Sequence, residues 1–330
     1  MELGKFPDMV KKIQKEVIIY SMISVFFHQS GYLFLFFLVP LQSVRNKKGF
    51  PALLQACVIV ISVVFFASIA RTSGIPLAGT RIVIILSEIF MPLVLLTGLL
   101  YINYDWPENP RMLKKILIVT AGAFIAAIPA LLIFNSGAFV NFYKNQIALA
   151  MELLNRTFSE HQSVEVSEIT EILKSIDVET VYAALKKTVM RSYLFSYFIM
   201  LSGSWWFGSS GYKEGRWRSS FKPASFYLPE LLVWPLIAAL LVVVISFKIS
   251  TGFIGDLGWN VLLIMVTLYG FRGLGIIQGM MTSFNLPASL RVLIIFSIML
   301  FLMQPGLNYI ILIGLPGLGV SEIWINYNRK

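Results

Sequence analysis

Two charged residues stand inside apolar stretches of the sequence, where an uncompensated charge is costly. Glu88 lies in IVIILSEIFMPLVLL and Arg272 in LYGFRGLGIIQGMM. A charge at the centre of a bilayer costs about 2.5–3.5 kcal/mol on insertion scales, so such residues usually face a bundle interior or a wet cavity. The Glu88 side chain is too short to reach the headgroups easily, which predicts a ligand site or an internal partner. Arg272 either holds an anionic group or extends to the headgroups; a direct Glu88–Arg272 ion pair is a third arrangement.

Other polar groups accompany these charges at membrane depth. HQSG (28–31) and QPGLN (304–308) interrupt apolar runs, and proline or glycine at such places predicts a broken helix. Broken helices are tolerated in membranes where they line a cavity or are buried in protein. The predicted ligand-binding residues are Glu88, Arg272, Gln278, His28 and Gln304.

The sequence lacks the signatures of the common catalytic and metal sites. It has no G-x-x-x-x-G-K-[ST] phosphate loop, no H-E-x-x-H and no G-x-S-x-G, and it has two histidines in total. The single cysteine, Cys57, can form no internal disulfide, and with two histidines and no Cys/His cluster a conventional transition-metal site is not expected. We therefore predict no catalytic residue, no metal site and no cofactor, and we expect no ATP hydrolysis by this chain alone.

The elements that must position these residues are transmembrane helices. Of the 330 residues, 57% are hydrophobic and 13% are charged, about half the charged fraction of a soluble domain. A helix needs about 20 apolar residues to cross a bilayer core. The prediction is an all-α, polytopic transmembrane bundle of about eight membrane segments, some of them broken. The segments are 17–41, 51–70, 82–104, 113–134, 192–212, 230–249, 258–282 and 290–316.

Basic residues orient the bundle. The net charge is +10, and the most basic short loops are RNKK (45–48), RMLKK (111–115) and KEGRWRSSFK (213–222). The positive-inside rule places these loops in the cytoplasm of a cell whose inner membrane holds the protein. Such loops face anionic lipid, so we expect no nucleic-acid binding. RTSGIPLAGTR (71–81) falls on the opposite side with two arginines, which is a mild conflict.

Segment 135–191 differs from its surroundings and predicts a small extramembrane helical insert on the outer side. Apolar residues recur at helical spacing from Ile147 to Phe158 and from Ile169 to Ile176, and Asp177 is suited to cap a third helix that continues into the next span. The predicted parts are thus 1–134, 135–191 and 192–330. At the start of the chain, a hairpin turning at HQSG is favoured over a single crossing.

Small residues four positions apart indicate where helices pack closely. Gly275 and Gly279 form a G-x-x-x-G, and Ala52 and Ala56 form a similar pair. Such pairs let neighbouring helices approach, and one of them could also face a partner subunit.

The chain resembles a known family in several stretches. These are FLVPLQSVRNKKGFPALL (37–54), LPELLVWPL (228–236), LYGFRGLGIIQGMM (268–281) and GLPGLGVSEIWINYNRK (314–330). They resemble the YybS-like bacterial membrane proteins, which are grouped with the S components of energy-coupling-factor transporters. The resemblance implies a helical bundle that captures a small molecule from outside and works with a separate ATPase and coupling module.

Two functions therefore compete. The first is an S-component-like transport or sensing subunit that binds a small molecule and has no ATPase of its own. The second is a membrane scaffold or assembly factor without a substrate, which would hold other proteins through loop 213–222 and insert 135–191. The two differ in whether the intramembrane polar residues surround a cavity or are consumed in helix–helix contacts.

Overall fold

The computed structural model describes residues 15–75, 78–107, 111–160, 177–213, 216–218 and 226–325. The predicted all-α class is confirmed, with one short antiparallel hairpin of β1 (Gly211–Lys213) and β2 (Arg216–Arg218) added. The helices are α1 Lys15–Gln29, α2 Val39–Lys48, α3 Phe50–Thr72, α4 Ala78–Asn103, α5 Met112–Phe134, α6 Gly137–Glu160, α7 Val178–Ser209, α8 Val233–Ser246, α9 Gly252–Ser283, α10 Ala288–Met303 and α11 Asn308–Ser321.

Four of these helices are long and apolar enough to cross a membrane: Phe50–Thr72, Gly79–Asn103, Met112–Phe134 and Gly252–Ser283. Shorter apolar helices cover Glu230–Ser246, Ala288–Met303 and Asn308–Ser321, and the predicted span 192–212 begins within α7. The molecule is therefore a multi-pass membrane protein.

Both predicted helix interruptions are present. At HQSG, α1 ends at Gln29 and Gly31 has a φ of 69°; at QPGLN, α10 ends at Met303 and Gly306 has a φ of 90°. Glycine takes these left-handed angles without the steric cost that a Cβ would add. Glycine at these two positions therefore allows the backbone to leave the helical conformation.

The chain forms two compact units. Unit 1 contains Met1–Val189 and Ser196–Ser209, and unit 2 contains Met190–Phe195 and Ser210–Lys330. The core of unit 1 is built from α1 to α5, with Leu38, Leu53 and Leu95 fully buried. In unit 2, α9 packs against α8 and α11. The division into 1–134, 135–191 and 192–330 stays a prediction, and its second boundary falls inside α7.

The insert begins with the amphipathic helix α6, while the predicted helix around Ile169–Ile176 lies outside the described residues. Asp177 caps α7 as predicted: its carboxylate accepts a hydrogen bond from the Thr180 amide at 2.9 Å. This helix then runs without a break for 32 residues to Ser209. Hydrogen bonds from Thr180 lower the pKa of Asp177 below its ordinary value.

Candidate functional site

Arg272 lies inside unit 2 and is 6% exposed. Its Nε and Nη2 donate to the two carboxylate oxygens of Glu322, and its Nη1 donates to the carbonyl oxygen of Phe226. A bidentate arginine–carboxylate pair is the strongest ion-pair geometry that proteins use. The guanidinium is thus engaged in an internal ion pair within unit 2.

Two glycines bring Glu322 to this position. A Cβ on Gly273 of α9 would lie 2.1 Å from the Leu315 carbonyl oxygen, and a Cβ on Gly319 of α11 would lie 2.1 Å from that of Tyr269. The two backbones are therefore in contact, and Glu322 follows Gly319 by about one helical turn. Close packing at the neighbouring Gly275 and Gly279 stays a prediction, and residue type and spacing alone did not point to Gly273 and Gly319.

A second set of polar contacts in unit 2 joins α9 to residues Met190–Phe195. Asn260, 3% exposed, donates through Nδ2 to the Met190 carbonyl at 2.7 Å and accepts the Leu194 amide at 2.8 Å. In a regular α-helix the Leu194 amide would donate to the Met190 carbonyl, because the two residues are four positions apart. Asn260 therefore bonds both members of one such pair. One turn earlier, Asp256 accepts from Arg191 Nε at 3.2 Å. These contacts were not predicted from the sequence, in which an asparagine within an apolar helix is the one signal that points to them.

In unit 1, a polar cluster forms where α1, α3 and α4 meet at the end of the bundle nearest α6. We call it the insert-end cluster and define it as His28, Gln29, Arg71 and Glu88. Arg71 donates to Glu88 Oε2 at 2.8 Å and to Gln29 Oε1 at 2.9 Å. Two predicted ligand residues, His28 and Glu88, therefore fall together, and the partner of Glu88 is Arg71.

His28 completes the cluster with an unusual feature. Its ring contacts Phe34 and Phe37, with ring centroids 5.5 and 5.4 Å away, and the charges of Arg71 and Glu88 act on it. Its Nδ1 is buried and has no hydrogen-bond partner among the described residues. A buried polar atom without a partner needs a reason, and an absent ligand is one.

Helix α6 packs against α4 and α5 near the insert-end cluster. Tyr143 of α6 lies near Ser87, the neighbour of Glu88, and near Arg71 and Glu88 themselves. An aromatic row from Phe134 through Phe139 to Tyr143, with centroids 5.0 and 4.3 Å apart, packs α6 on the membrane helices. The insert is thus held directly beside the cluster.

The remaining predicted ligand residues lie elsewhere. Gln278 is half-buried in α9, two turns after Arg272, and Gln304 is exposed in the break before α11. Of the predicted packing residues, Ala52 and Ala56 are buried in α3, and the Ala56 carbonyl accepts a long hydrogen bond from Ser21 of α1. No group of three His, Cys, Asp or Glu residues able to hold a metal occurs in the part of the chain that the structure describes.

Comparison with known proteins agrees with this architecture. A family model described as a predicted membrane protein (DUF2232) matches residues 106–316, more than half of the chain. The chain belongs to this family. The DUF2232 match begins before α5 and ends within α11, so it includes Asn260 and Arg272 but stops short of Glu322. No curated protein and no solved structure matches the chain.

Proposed function

We propose that the protein is an S-component-like subunit of the YybS-like group, which binds a small molecule at the insert-end cluster for transport or sensing. The observation that carries this proposal is the cluster itself. Three helices bring together a cation, a carboxylate, an amide and an imidazole nitrogen that has no hydrogen-bond partner among the described residues, and α6 lies beside them. Polar groups that converge at one end of an apolar bundle are typical of a ligand site.

The chemistry of the cluster favours a ligand with an anionic group and a hydrogen-bond donor or acceptor. The Arg71 side chain is 50% exposed and that of Glu88 is 26% exposed, so both can exchange their mutual contact for a ligand. Arg71 would hold the anionic group, the role that the sequence suggested for Arg272. His28 Nδ1 and Gln29 would bond the rest of the molecule, and α6 would shield it from water.

The subunit would depend on a partner for energy. The sequence has no phosphate loop, and the resemblance to energy-coupling-factor S components implies a separate ATPase and coupling module. Transport of the small molecule into the cell would require that module, whereas binding of the small molecule to this subunit would not. Binding can therefore be tested on the full chain alone.

The test compares two Arg–Glu pairs in unit 1. Glu88→Gln and Arg71→Gln change the cluster, while Glu152→Gln and Arg156→Gln change an exposed pair on α6 that lies apart from it. The full chain is purified from its native host in a mild detergent and analysed by native mass spectrometry. We expect a small-molecule adduct in the wild-type protein and both control variants, and its loss in both cluster variants.

A genetic experiment tests the same proposal in the cell. Deletion of the gene should impair uptake of the molecule identified by mass spectrometry, and the control variants should restore it. No adduct in any preparation, together with normal growth and uptake after deletion, would refute the proposal.

A scaffold without a substrate is the second candidate, and one observation favours it. Arg272 is consumed in a helix–helix contact and does not line a cavity, which is the arrangement expected of a purely structural bundle. A scaffold should co-purify with another membrane protein at a fixed stoichiometry after mild solubilisation. Recovery of the chain alone, with a small-molecule adduct, would exclude it.

A further inference from the structure

A polar cavity of about 390 Å³ lies at the opposite end of unit 1, and none of the predicted ligand residues lines it. The ends of α2, α4 and α7 and the beginning of α5 form its walls. Because α2 and α5 carry the basic stretches RNKK and RMLKK there, we call it the basic-loop cavity. Its volume is within the range of small-molecule sites.

The floor of the cavity is a preformed pair of amides. Gln42 Nε2 donates to Asn103 Oδ1 at 3.0 Å, and Asn103 Nδ2 donates back to Gln42 Oε1 at 2.7 Å. Both residues are buried, at 1% and 9% exposure. Since these amides satisfy each other, they need no ligand and instead form a rigid base for their neighbours.

Arg45 is fixed on this floor. Its Nε donates to the Asn103 carbonyl oxygen at 3.3 Å, and its Nη2 contacts Asp105 Oδ1 at 3.0 Å. The Asp105 side chain is 84% exposed, so water screens this pair. Arg45 is therefore positioned at the cavity while its charge is only partly compensated.

Lys115 is the most informative residue of the cavity. It is 8% exposed, and among the described residues its ammonium group has one polar contact, with the Tyr104 carbonyl oxygen at 3.4 Å. No carboxylate pairs with it in the described ranges of the chain. A buried ammonium group without a counterion is costly, and an anion bound beside it would reduce that cost.

The beginning of α5 adds further positive potential. The helix starts at Met112, which lines the cavity, and the side chain of Arg111 makes no capping hydrogen bond. The first amides of a helix are unpaired within the helix and carry the positive end of its dipole, so they attract anions. Among the described residues that line the cavity, Arg45 and Lys115 are cations and Asp105 is the one carboxylate, so positive charge is in excess beside this helix N-terminus.

We infer that the basic-loop cavity binds a phosphate group. The guanidinium fork of an arginine, the point charge of a lysine and a helix N-terminus are three complementary ways in which proteins hold phosphate. The phosphate can belong to the headgroup of an anionic lipid, because basic pockets between helices at this level bind such headgroups. It can equally belong to a soluble phosphorylated molecule. The inference is independent of the insert-end cluster.

Two adjacent lysines of α5 provide a matched test. Lys115→Met removes the buried charge, and Lys114→Met removes the same charge from an exposed position one residue earlier. The full-length protein is purified in dodecyl maltoside, which contains no phosphate. It is then titrated with phosphatidylglycerol, glycerol 1-phosphate or inorganic phosphate, and binding is followed by native mass spectrometry and by the thermal unfolding midpoint.

We expect at least one probe to bind the wild-type protein and the Lys114→Met variant with the same affinity. Lys115→Met should weaken that binding about tenfold or more, since a charge-assisted hydrogen bond contributes roughly 1.5–3 kcal/mol. Without phosphate, Lys115→Met should unfold at the same or a higher temperature than the wild type, because it removes an uncompensated buried charge. If Lys115 only stabilised the fold, Lys115→Met would instead unfold at a lower temperature than the wild type.

Two further comparisons identify whether the phosphate comes from a lipid or from a soluble molecule, and control for a variant that does not fold. Retention of phosphatidylglycerol without competition from glycerol 1-phosphate identifies a lipid site, whereas protection by glycerol 1-phosphate or inorganic phosphate identifies a soluble ligand. Lys115→Arg keeps the charge and should retain binding if Lys115→Met does not fold. Binding that is equal in the Lys115 and Lys114 variants, or no binding of any probe to the wild type, would overturn the inference.

Discussion

Arg272 shows how a single residue can be charged and yet carry no exposed charge within the membrane. Its guanidinium bonds both oxygens of Glu322 and the carbonyl of Phe226, so most of its donors are satisfied by protein. A buried ion pair is not in itself a source of stability, because desolvation of both groups offsets their attraction. Loss of one partner, in contrast, is strongly destabilising, since the other charge then stays buried without a counterion.

This difference gives the first prediction. Glu322→Gln should lower the free energy of unfolding by about 3 kcal/mol, because Arg272 is left without a counterion. The double variant Arg272→Met/Glu322→Leu should recover most of that loss, since it buries no charge. Denaturant unfolding of the full chain in detergent measures both.

The exposed pair on α6 is the control for this experiment. Glu152→Gln breaks the contact with Arg156, in which both side chains are mostly exposed, and should change stability by less than about 1 kcal/mol. If Glu322→Gln behaves like Glu152→Gln, Arg272 is not dependent on its partner and has another way to reach solvent.

The sequence indicates which charges are unusual but not what they contact. Glu88 and Arg272 were recognisable because an apolar run surrounds each of them. Arg71 precedes Glu88 by 17 residues, and Glu322 follows Arg272 by 50 residues. Both partners lie near helix ends, where charges are common. Lys115 was equally hidden, because it stands among ordinary basic residues and only the packing of α5 against its neighbours buries it.

At the scale of elements, the contact of α9 with α11 depends on two glycines and gives the second prediction. Gly273→Ala and Gly319→Ala should each cost more than about 2 kcal/mol, since the new methyl group meets a backbone oxygen that cannot move aside cheaply. Thermal unfolding of the detergent-solubilised variants measures the cost.

Two other glycines in α11 serve as controls. A Cβ on Gly314 or Gly317 would meet nothing within 4 Å, so alanine there should be neutral or should stabilise the helix by up to about 1 kcal/mol. Equal effects at all four positions would mean that α9 and α11 are not in backbone contact.

The beginning of α7 gives a prediction about pH. Thr180 lowers the pKa of Asp177, so the cap stabilises the helix above the ordinary aspartate pKa and is lost as the pH falls through the lowered value. Hydrogen exchange of the first amides of α7, corrected for the intrinsic rate, should therefore accelerate in acid. Asp177→Asn is the control, because asparagine caps a helix without titrating and should show no such acceleration.

Several elements follow from sequence pattern, and others do not. Apolar runs predicted α3, α4, α5 and α9, and the glycines at HQSG and QPGLN predicted both breaks, because length and backbone freedom are local properties. The separation into two units was not predictable, since it depends on long-range contacts such as those of Asn260. That asparagine binds Met190 and Leu194, about 70 residues away along the chain.

At the scale of the whole molecule, the basic loops predict which side of the membrane each end occupies. Cys57 is 4% exposed within α3, so a Cys57→Ala protein should fold and provide a background without thiols. In that background we expect Lys48→Cys to react with an impermeant maleimide only after the cells are opened. Glu152→Cys on α6 should react in intact cells, and the reverse pattern would invert the assigned orientation.

Helix α7 has a mechanical consequence for the whole molecule. At about 1.5 Å per residue its 32 residues extend roughly 48 Å, more than a bilayer core requires. Near one end Glu179 pairs with Lys144 of α6, and near the other Trp205 and Ser209 line the basic-loop cavity. Because the helix is unbroken over this length, a tilt of its first turns, where Glu179 meets α6, would displace the residues near its other end that line the basic-loop cavity.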